Sequence, residues 1–186
     1  GAKLVDAMNE PSGRNLTGAS HLVPIQTQLN AIMELGHFTH IGVLYNATET
    51  NSQLQVEKLQ KTIEASEQTV KFSTFPIDSS QDARFAIGAA VRKARTQGVD
   101  VIYLPSDSFL IKNAQYLSMS AVAQNIPVFS ATDGPVKEGY ALAGLVSKYY
   151  LVGQFAGFKA LQVLQGNGVS SIPVETLTKF NTVVNL

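Results

Sequence analysis

Apolar residues along the chain fall into short runs of strand length that alternate with stripes at helical spacing. The predicted strands span residues 16–23, 40–45, 70–77, 101–104, 126–130, 140–146, 172–174 and 182–184. The predicted helices span residues 24–35, 54–65, 85–98, 109–124 and 149–165. Residues 40–45 are almost continuously apolar, which is typical of a strand covered on both faces.

Polar and glycine residues mark the ends of these segments. Gly36 is predicted to end the first helix in a left-handed conformation, and Gly166 to close the helix before it. Asp78 and Ser79 are predicted to cap the third helix, and residues 131–138 to form a loop.

Strands that alternate with helices through short connections favour a parallel sheet, because right-handed crossovers place helices on both of its faces. We therefore predict an α/β fold, a doubly wound parallel sheet flanked by helices. Ligands of such sheets bind beyond the carboxyl ends of the strands.

Three polar loops follow predicted strands and are expected to meet at that edge of the sheet. Their hydrogen-bonding residues are Asn46, Thr48, Glu49, Asn51, Ser106, Asp107, Ser108, Thr132 and Asp133. Asn, Asp, Ser and Thr also cap helices and form turns, so each residue alone favours a structural role. Only their shared position favours ligand binding.

Composition narrows the function classes. The chain has 186 residues, 45% of them hydrophobic and 15% charged, which fits one globular domain. Fourteen basic residues balance fourteen acidic ones, so nucleic acid is not an expected partner. The absence of cysteine excludes disulfides and thiolate sites but leaves the compartment open. The first residues do not contain the basic segment followed by an apolar stretch that is typical of a signal peptide. A secreted protein after signal removal and an excised domain would both lack it, so this observation does not indicate the compartment.

The sequence gives little support to the hypothesis that the chain is an enzyme. His21, His37 and His40 lack the spacing of metal ligands, and the serine-hydrolase, P-loop and dinucleotide-binding motifs are absent. Asp107 and Asp133 could form a carboxylate pair for acid–base chemistry, but no partner group accompanies them. We predict no enzyme activity, no metal and no cofactor, with a hydrolase or flavodoxin-like enzyme as the remaining alternative.

Several stretches together resemble the ABC transporter substrate-binding family of the type I periplasmic binding fold, which includes binders of aromatic amino acids. They are GRNLTGAS (13–20), IGVLYNATETNSQ (41–53), GVDVIYLPSDS (98–108), IPVFSATDGPVKEGYALAGL (126–145), LVGQFAGFKALQVLQG (151–166) and FNTVVNL (180–186). The chain departs from the family's pattern at GRN and at LVGQFAG. Neither departure involves a candidate ligand residue.

The resemblance implies one lobe of a two-lobed clamp. Residues 1–20 would end a missing first lobe and cross the hinge, 21–148 would form the second lobe, and 149–186 a return helix with terminal crossing strands. The implied ligand is a small organic molecule, such as an amino acid, and the implied partner is an ABC permease in a periplasmic or lipid-anchored setting. The candidate ligand-binding residues are Ser20, Asn46, Thr48, Glu49, Ser106, Asp107 and Asp133.

Three expectations accompany this interpretation. The alternative function is the ligand-sensing domain of a signalling receptor with the same fold. One lobe alone is expected to bind ligand weakly, because half of the contacts are missing. The apolar stripe of helix 149–165 would lack its usual partner lobe, so the chain is expected to hide it, either on its own sheet or in a homodimer.

Overall fold

A computed structural model describes residues 8–66 and 69–185 of the chain. The strands are β1 (Gly18–Ser20), β2 (His40–Asn46), β3 (Lys71–Ile77), β4 (Val101–Leu104), β5 (Val128–Ser130), β6 (Ala143–Val146), β7 (Val174–Thr176) and β8 (Asn181–Val184). The helices are α1 (Ile25–Leu35), α2 (Thr50–Ala65), α3 (Ala83–Thr96), α4 (Ser108–Lys112), α5 (Ala114–Ala123), α6 (Asp133–Lys137) and α7 (Tyr149–Leu164), with a 3₁₀ turn at Val169–Ser171. Residues 1–7 of the predicted first segment and Leu186 of the last lie outside the described residues.

The described chain forms two compact units. One, called here the terminal unit, contains the described residues up to Val23 together with Val146–Asn181. The other, called the sheet unit, contains Pro24–Leu145 and the described residues from Thr182 onward.

The main sheet has six strands in the order β3-β2-β4-β5-β6-β8. The pairs β2/β3, β2/β4, β4/β5 and β5/β6 are all parallel. The register places Val43 beside Tyr103, and Tyr103 beside Phe129. The chain places β3 on one side of β2 and then adds β4, β5 and β6 on the other side, so the sheet is doubly wound. The predicted fold class is confirmed.

Helices cover both faces of this sheet. α1 packs with α2, and α3 packs with α5, as right-handed crossovers from β2 to β3 and from β3 to β4 require. The core on the side of α3 and α5 joins Leu44, Ile102 and Leu104 of the strands to Ile87 and Leu117 of the helices, all fully buried. Gly42 is needed in β2, because a Cβ there would lie 2.7 Å from Val99 Cγ1.

Four local predictions differ from the structure. α3 is capped by Asp82, which accepts from Phe85 N at 2.9 Å, whereas Asp78 accepts from Ser80 N. Gly36 has an extended backbone (φ −179°), so the predicted left-handed cap is wrong. The predicted helix 109–124 is divided at Asn113, whose side-chain Nδ2 donates to Phe109 O at 2.8 Å. The predicted loop 131–138 contains the short helix α6.

The terminal unit consists of the parallel pair β1/β7 and helix α7. Thr17 Oγ1 donates to Pro173 O at 3.1 Å, and Lys159 of α7 donates to the same carbonyl oxygen at 2.7 Å. Lys159 also forms an ion pair with Glu175 of β7, and its ammonium lies 4.8 Å from the centre of the Phe155 ring. One buried lysine therefore fastens α7 to the small sheet. Gly166 closes α7 as predicted, and its backbone is in the left-handed conformation (φ +94°).

Candidate functional site

Three adjacent parallel strands, β2, β4 and β5, deliver polar loops to one edge of the main sheet. Parallel neighbours end at the same edge, so the loops beginning at Asn46, Pro105 and Ala131 share the carboxyl side of the sheet. This is the arrangement predicted from the alternation of strands and helices. The ligand-binding roles of the individual residues stay a prediction.

Asp107 joins the loops after β2 and β4. Its side chain is fully buried, Oδ2 accepts from Asn46 N at 2.6 Å, and Oδ1 accepts from Leu110 N at 2.8 Å. The second bond caps α4, and the first crosses to the neighbouring loop. Both carboxylate oxygens therefore accept hydrogen bonds from backbone N–H groups. Through them, Asp107 links the loop after β2 to the start of α4.

Glu49 provides a second link between the same loops. Its Oε2 accepts from Ser108 N at 3.0 Å, and its Oε1 accepts from Ser108 Oγ at 3.2 Å. The side chain is half-buried, and a carboxylate has about four acceptor positions, so Glu49 keeps acceptor capacity toward solvent.

Asn46 is a largely buried residue of the edge, only 8% exposed, whose amide is oriented by its own loop. Its Oδ1 accepts from Thr48 N at 3.1 Å and from Thr48 Oγ1 at 3.0 Å, which fixes the orientation of the amide. Within residues 8–66 and 69–185, Asn46 Nδ2 has no hydrogen-bond acceptor. Thr48 Oγ1 also lies 3.4 Å from Ser79 Oγ, so the loop after β3 adjoins the site.

Gln55 is a site-supporting residue that the sequence prediction missed. Its Oε1 accepts from Ser106 N at 3.1 Å, and the side chain is almost fully buried in α2. A glutamine beside Val56, on the buried side of an amphipathic helix, is the signal that could have revealed it.

Asp133 lies at the same edge, and in the described part of the chain its side chain has no hydrogen bond to the other loops. It is the first residue of α6, and its Oδ2 accepts from Lys137 Nζ at 2.5 Å in an i,i+4 ion pair. The preceding turn is shaped by Ser130 Oγ, which donates to Thr132 O at 2.8 Å.

Ser20 belongs to the terminal unit. It ends β1 opposite Thr176 of β7, and its Oγ accepts from Leu22 N at 3.2 Å. The candidate residues thus divide into one in the terminal unit and six in the sheet unit. Among the described residues, no group of three or more His, Asp or Glu side chains is arranged to hold a metal ion.

Comparison with known proteins places this chain among binding proteins. The family model "ABC transporter substrate binding protein" matches residues 1–186. The chain belongs to this family. A "Tyrosine-binding protein" of Clostridioides difficile (strain R20291) is 32% identical over 185 residues. That match covers 99% of this chain and 51% of the relative, so the chain spans about half of that relative's length.

Solved structures of the family superpose closely on the chain. The ligand-free, open structure of a substrate binding protein with adhesive properties from Clostridium difficile has a TM-score of 0.77 at 30% identity. The match covers 98% of this chain and 59% of the Clostridium difficile protein chain. An ABC domain in complex with L-Trp from Streptococcus pneumonia has a TM-score of 0.75 at 26% identity, covering 98% of this chain and 61% of that one.

Structures of lower identity share the fold alone. An arabinose binding protein from Geobacillus stearothermophilus has a TM-score of 0.62 at 14% identity, and covers 87% of this chain and 59% of that one. No helix within residues 8–66 and 69–185 has both the length and the apolar character needed to cross a membrane.

Proposed function

We propose that this chain forms one lobe of an extracytoplasmic solute-binding protein that delivers an aromatic L-amino acid to an ABC importer. The observation that carries the proposal is the hydrogen-bonded edge of the main sheet. There, Asp107 and Glu49 tie two loops together, while the Asn46 amide and part of the Glu49 carboxylate stay available to a ligand.

The chemistry of the edge suits an amino acid. Glu49 and Asp133 would accept hydrogen bonds from an α-ammonium group, and Asn46 Nδ2 would donate to an α-carboxylate. Asp107 is buried with both oxygens occupied, so its proposed role is to hold Asn46 and the start of α4 at Leu110 in place. Aromatic amino acids are favoured because the relatives include a tyrosine-binding protein and a complex with L-Trp.

A second lobe would complete the site. The chain spans 51% of the tyrosine-binding relative, and helix α7 exposes a broad apolar face that a further domain could cover. In this proposal, the segment before residue 21 ends the first lobe and crosses the hinge, the segment after residue 148 forms the return helix and terminal crossing strands, and Ser20 is a further ligand residue. Ligand binding would favour the closed clamp, which is the form that a permease would recognise.

Calorimetry with L-tyrosine and L-tryptophan tests the proposal on two proteins, this chain and the product of its complete reading frame. We expect this chain to bind no more tightly than about 1 mM, since half of the contacts and the closure step are missing. The product of the complete reading frame should bind at least about a hundredfold more tightly. Micromolar binding by this chain alone would contradict the two-lobe site.

Matched variants of the complete product test the ligand residues. Glu49→Gln and Asp133→Asn should each weaken binding about tenfold, because each removes a charge-assisted acceptor. Glu57→Gln changes an exposed glutamate elsewhere on α2 and should leave affinity unchanged. Equal affinities for all three variants would show that neither the Glu49 nor the Asp133 carboxylate binds the ligand.

A further inference from the structure

Helices α3 and α5 border a groove whose lining includes none of the candidate site residues. Its volume is about 220 Å³. One wall comes from α3 and the other from α5. The lining includes Arg84, Gly88 and Arg92 of α3, and Tyr116, Met119 and Ser120 of α5.

The α3 wall concentrates positive charge in a chain that is neutral overall. α3 carries Arg84, Arg92, Lys93 and Arg95, and neither α3 nor α5 contains an acidic residue. Across the described part of the chain, none of these four cations forms an ion pair. The net charge of the whole chain is zero, so this helix pair is an electropositive region without internal compensation.

Helix stability explains only part of that charge. Lys93 and Arg95 lie in the last turn of α3, where cations interact favourably with the helix dipole. Arg84 lies in the first turn, at the positive end of the dipole, where a cation is unfavourable. A residue that opposes local stability in this way suggests selection for an interaction outside the helix.

The spacing of the groove residues creates a slot between two guanidinium groups. Arg84, Gly88 and Arg92 recur every fourth position and form one row about 12 Å long at about 1.5 Å per residue. A Cβ at Gly88 would lie 3.3 Å from Arg92 Nη1 and 3.7 Å from Ser120 Oγ. The missing side chain therefore keeps the floor of the groove open. The opposite wall exposes Tyr116 and Met119.

We propose that this groove docks an acidic segment of a partner protein, with its carboxylates on Arg84 and Arg92 and an apolar side chain against Tyr116 and Met119. Guanidinium forks bind carboxylates bidentately, and an adaptable methionine beside an aromatic ring suits an apolar anchor. An anionic membrane is less well matched, because these side chains line a concave groove between helices rather than the outer face of one amphipathic helix. This surface is independent of the proposed solute site.

A labelled acidic peptide tests the proposal by fluorescence anisotropy. The probe has glutamates four positions apart, with leucine and phenylalanine between them, because four extended residues span about 13 Å. The folded chain should bind it, and R84Q/R92Q should weaken binding by about tenfold or more, the factor expected for loss of charge-assisted hydrogen bonds. K93Q/R95Q is the matched control, since it removes the same charge from the same helix outside the groove, and it should retain most of the affinity.

Shape is tested separately from charge. G88A keeps every cation but places a methyl group on the groove floor, so it should also weaken peptide binding while thermal unfolding of the variant confirms that it folds. Equal losses in R84Q/R92Q and K93Q/R95Q would overturn the groove and indicate a general attraction to a basic helix. Absence of peptide binding by the folded chain would overturn the proposal. So would stronger binding to phosphatidylglycerol vesicles that compete with the peptide.

Discussion

Helices α3 and α7 make opposite use of their apolar residues. α3 buries Ile87, Val91 and Ala94 in the core beneath it, so its apolar stripe is part of that core. α7 is richer in large apolar residues, yet the only side chain it buries is Lys159. The exposed apolar residues of α7 are Tyr149, Tyr150, Leu151, Phe158, Leu161 and Leu164.

The difference shows that apolar content and core membership are separate properties of a helix. Full burial of a large apolar side chain is worth about 1.5–3 kcal/mol, and α7 forgoes much of that stabilisation. A contiguous exposed apolar face marks an interaction surface. The predicted docking of α7 on the chain's own sheet does not account for this face. A covering domain and a second copy of the chain are the two occupants we propose.

The largest expected effect comes from the same substitution made in the core shared by α3 and α5 and on the exposed face of α7. Leu117→Ala removes a fully buried side chain from the core beneath α5 and should lower the free energy of unfolding by about 2–5 kcal/mol. Leu164→Ala removes a side chain that is 84% exposed and should change it by less than about 0.5 kcal/mol. Urea denaturation measures both. Similar losses would show that α7 is as well packed as α5.

Loss of Asp107 should be the next most damaging change. Asp107→Ala leaves Asn46 N and Leu110 N without their acceptor, which should cost about 2–4 kcal/mol of unfolding free energy. Asp133→Ala breaks only an exposed i,i+4 pair with Lys137 and should cost about 0.5 kcal/mol or less. Thermal and urea unfolding of the two variants would contradict this ranking if their stabilities were equal.

The buried lysine of α7 should contribute less. Lys159→Met removes the ion pair with Glu175 and the bond to Pro173 O, and should destabilise the terminal unit by about 1–3 kcal/mol. The loss is moderate because Glu175 keeps contact with solvent. The double variant Lys159→Met/Glu175→Gln should recover part of the loss in the same urea titration. If the double variant were less stable than Lys159→Met alone, loss of the Lys159–Glu175 ion pair would not be the cause of the destabilisation.

Self-association through α7 should give the smallest change. We expect the isolated chain to form a weak dimer in light scattering at high concentration, and Leu161→Ser to weaken that dimer about tenfold, or about 1.4 kcal/mol. Val122→Ser is the control, because Val122 is an exposed apolar residue of α5. A monomer at every concentration would contradict the homodimer.

Most of the fold was predictable because it depends on patterns that are local in sequence. The buried strands around Val43 and Ile102 and the edge that carries Asn46 and Asp107 follow from apolar runs and from the geometry of parallel sheets. The capping of α3 by Asp82 and the bond from Ser106 to Gln55 were missed. Several polar residues near a helix start compete for the cap, and the partner of a buried glutamine is set by tertiary packing, which sequence spacing does not encode.

The bond between Asp107 and Asn46 has a consequence for the thermodynamics of ligand capture. Fixing the backbone of one loop residue costs about 1–2 kcal/mol of conformational entropy. Asp107 links the loops after β2 and β4 in the folded chain, so under the proposed function a ligand that reaches this edge would meet rigid, preorganised groups. In that proposal, its binding free energy would then be available for moving whole lobes. Loosening the loops would divert that free energy into local ordering and uncouple recognition from closure.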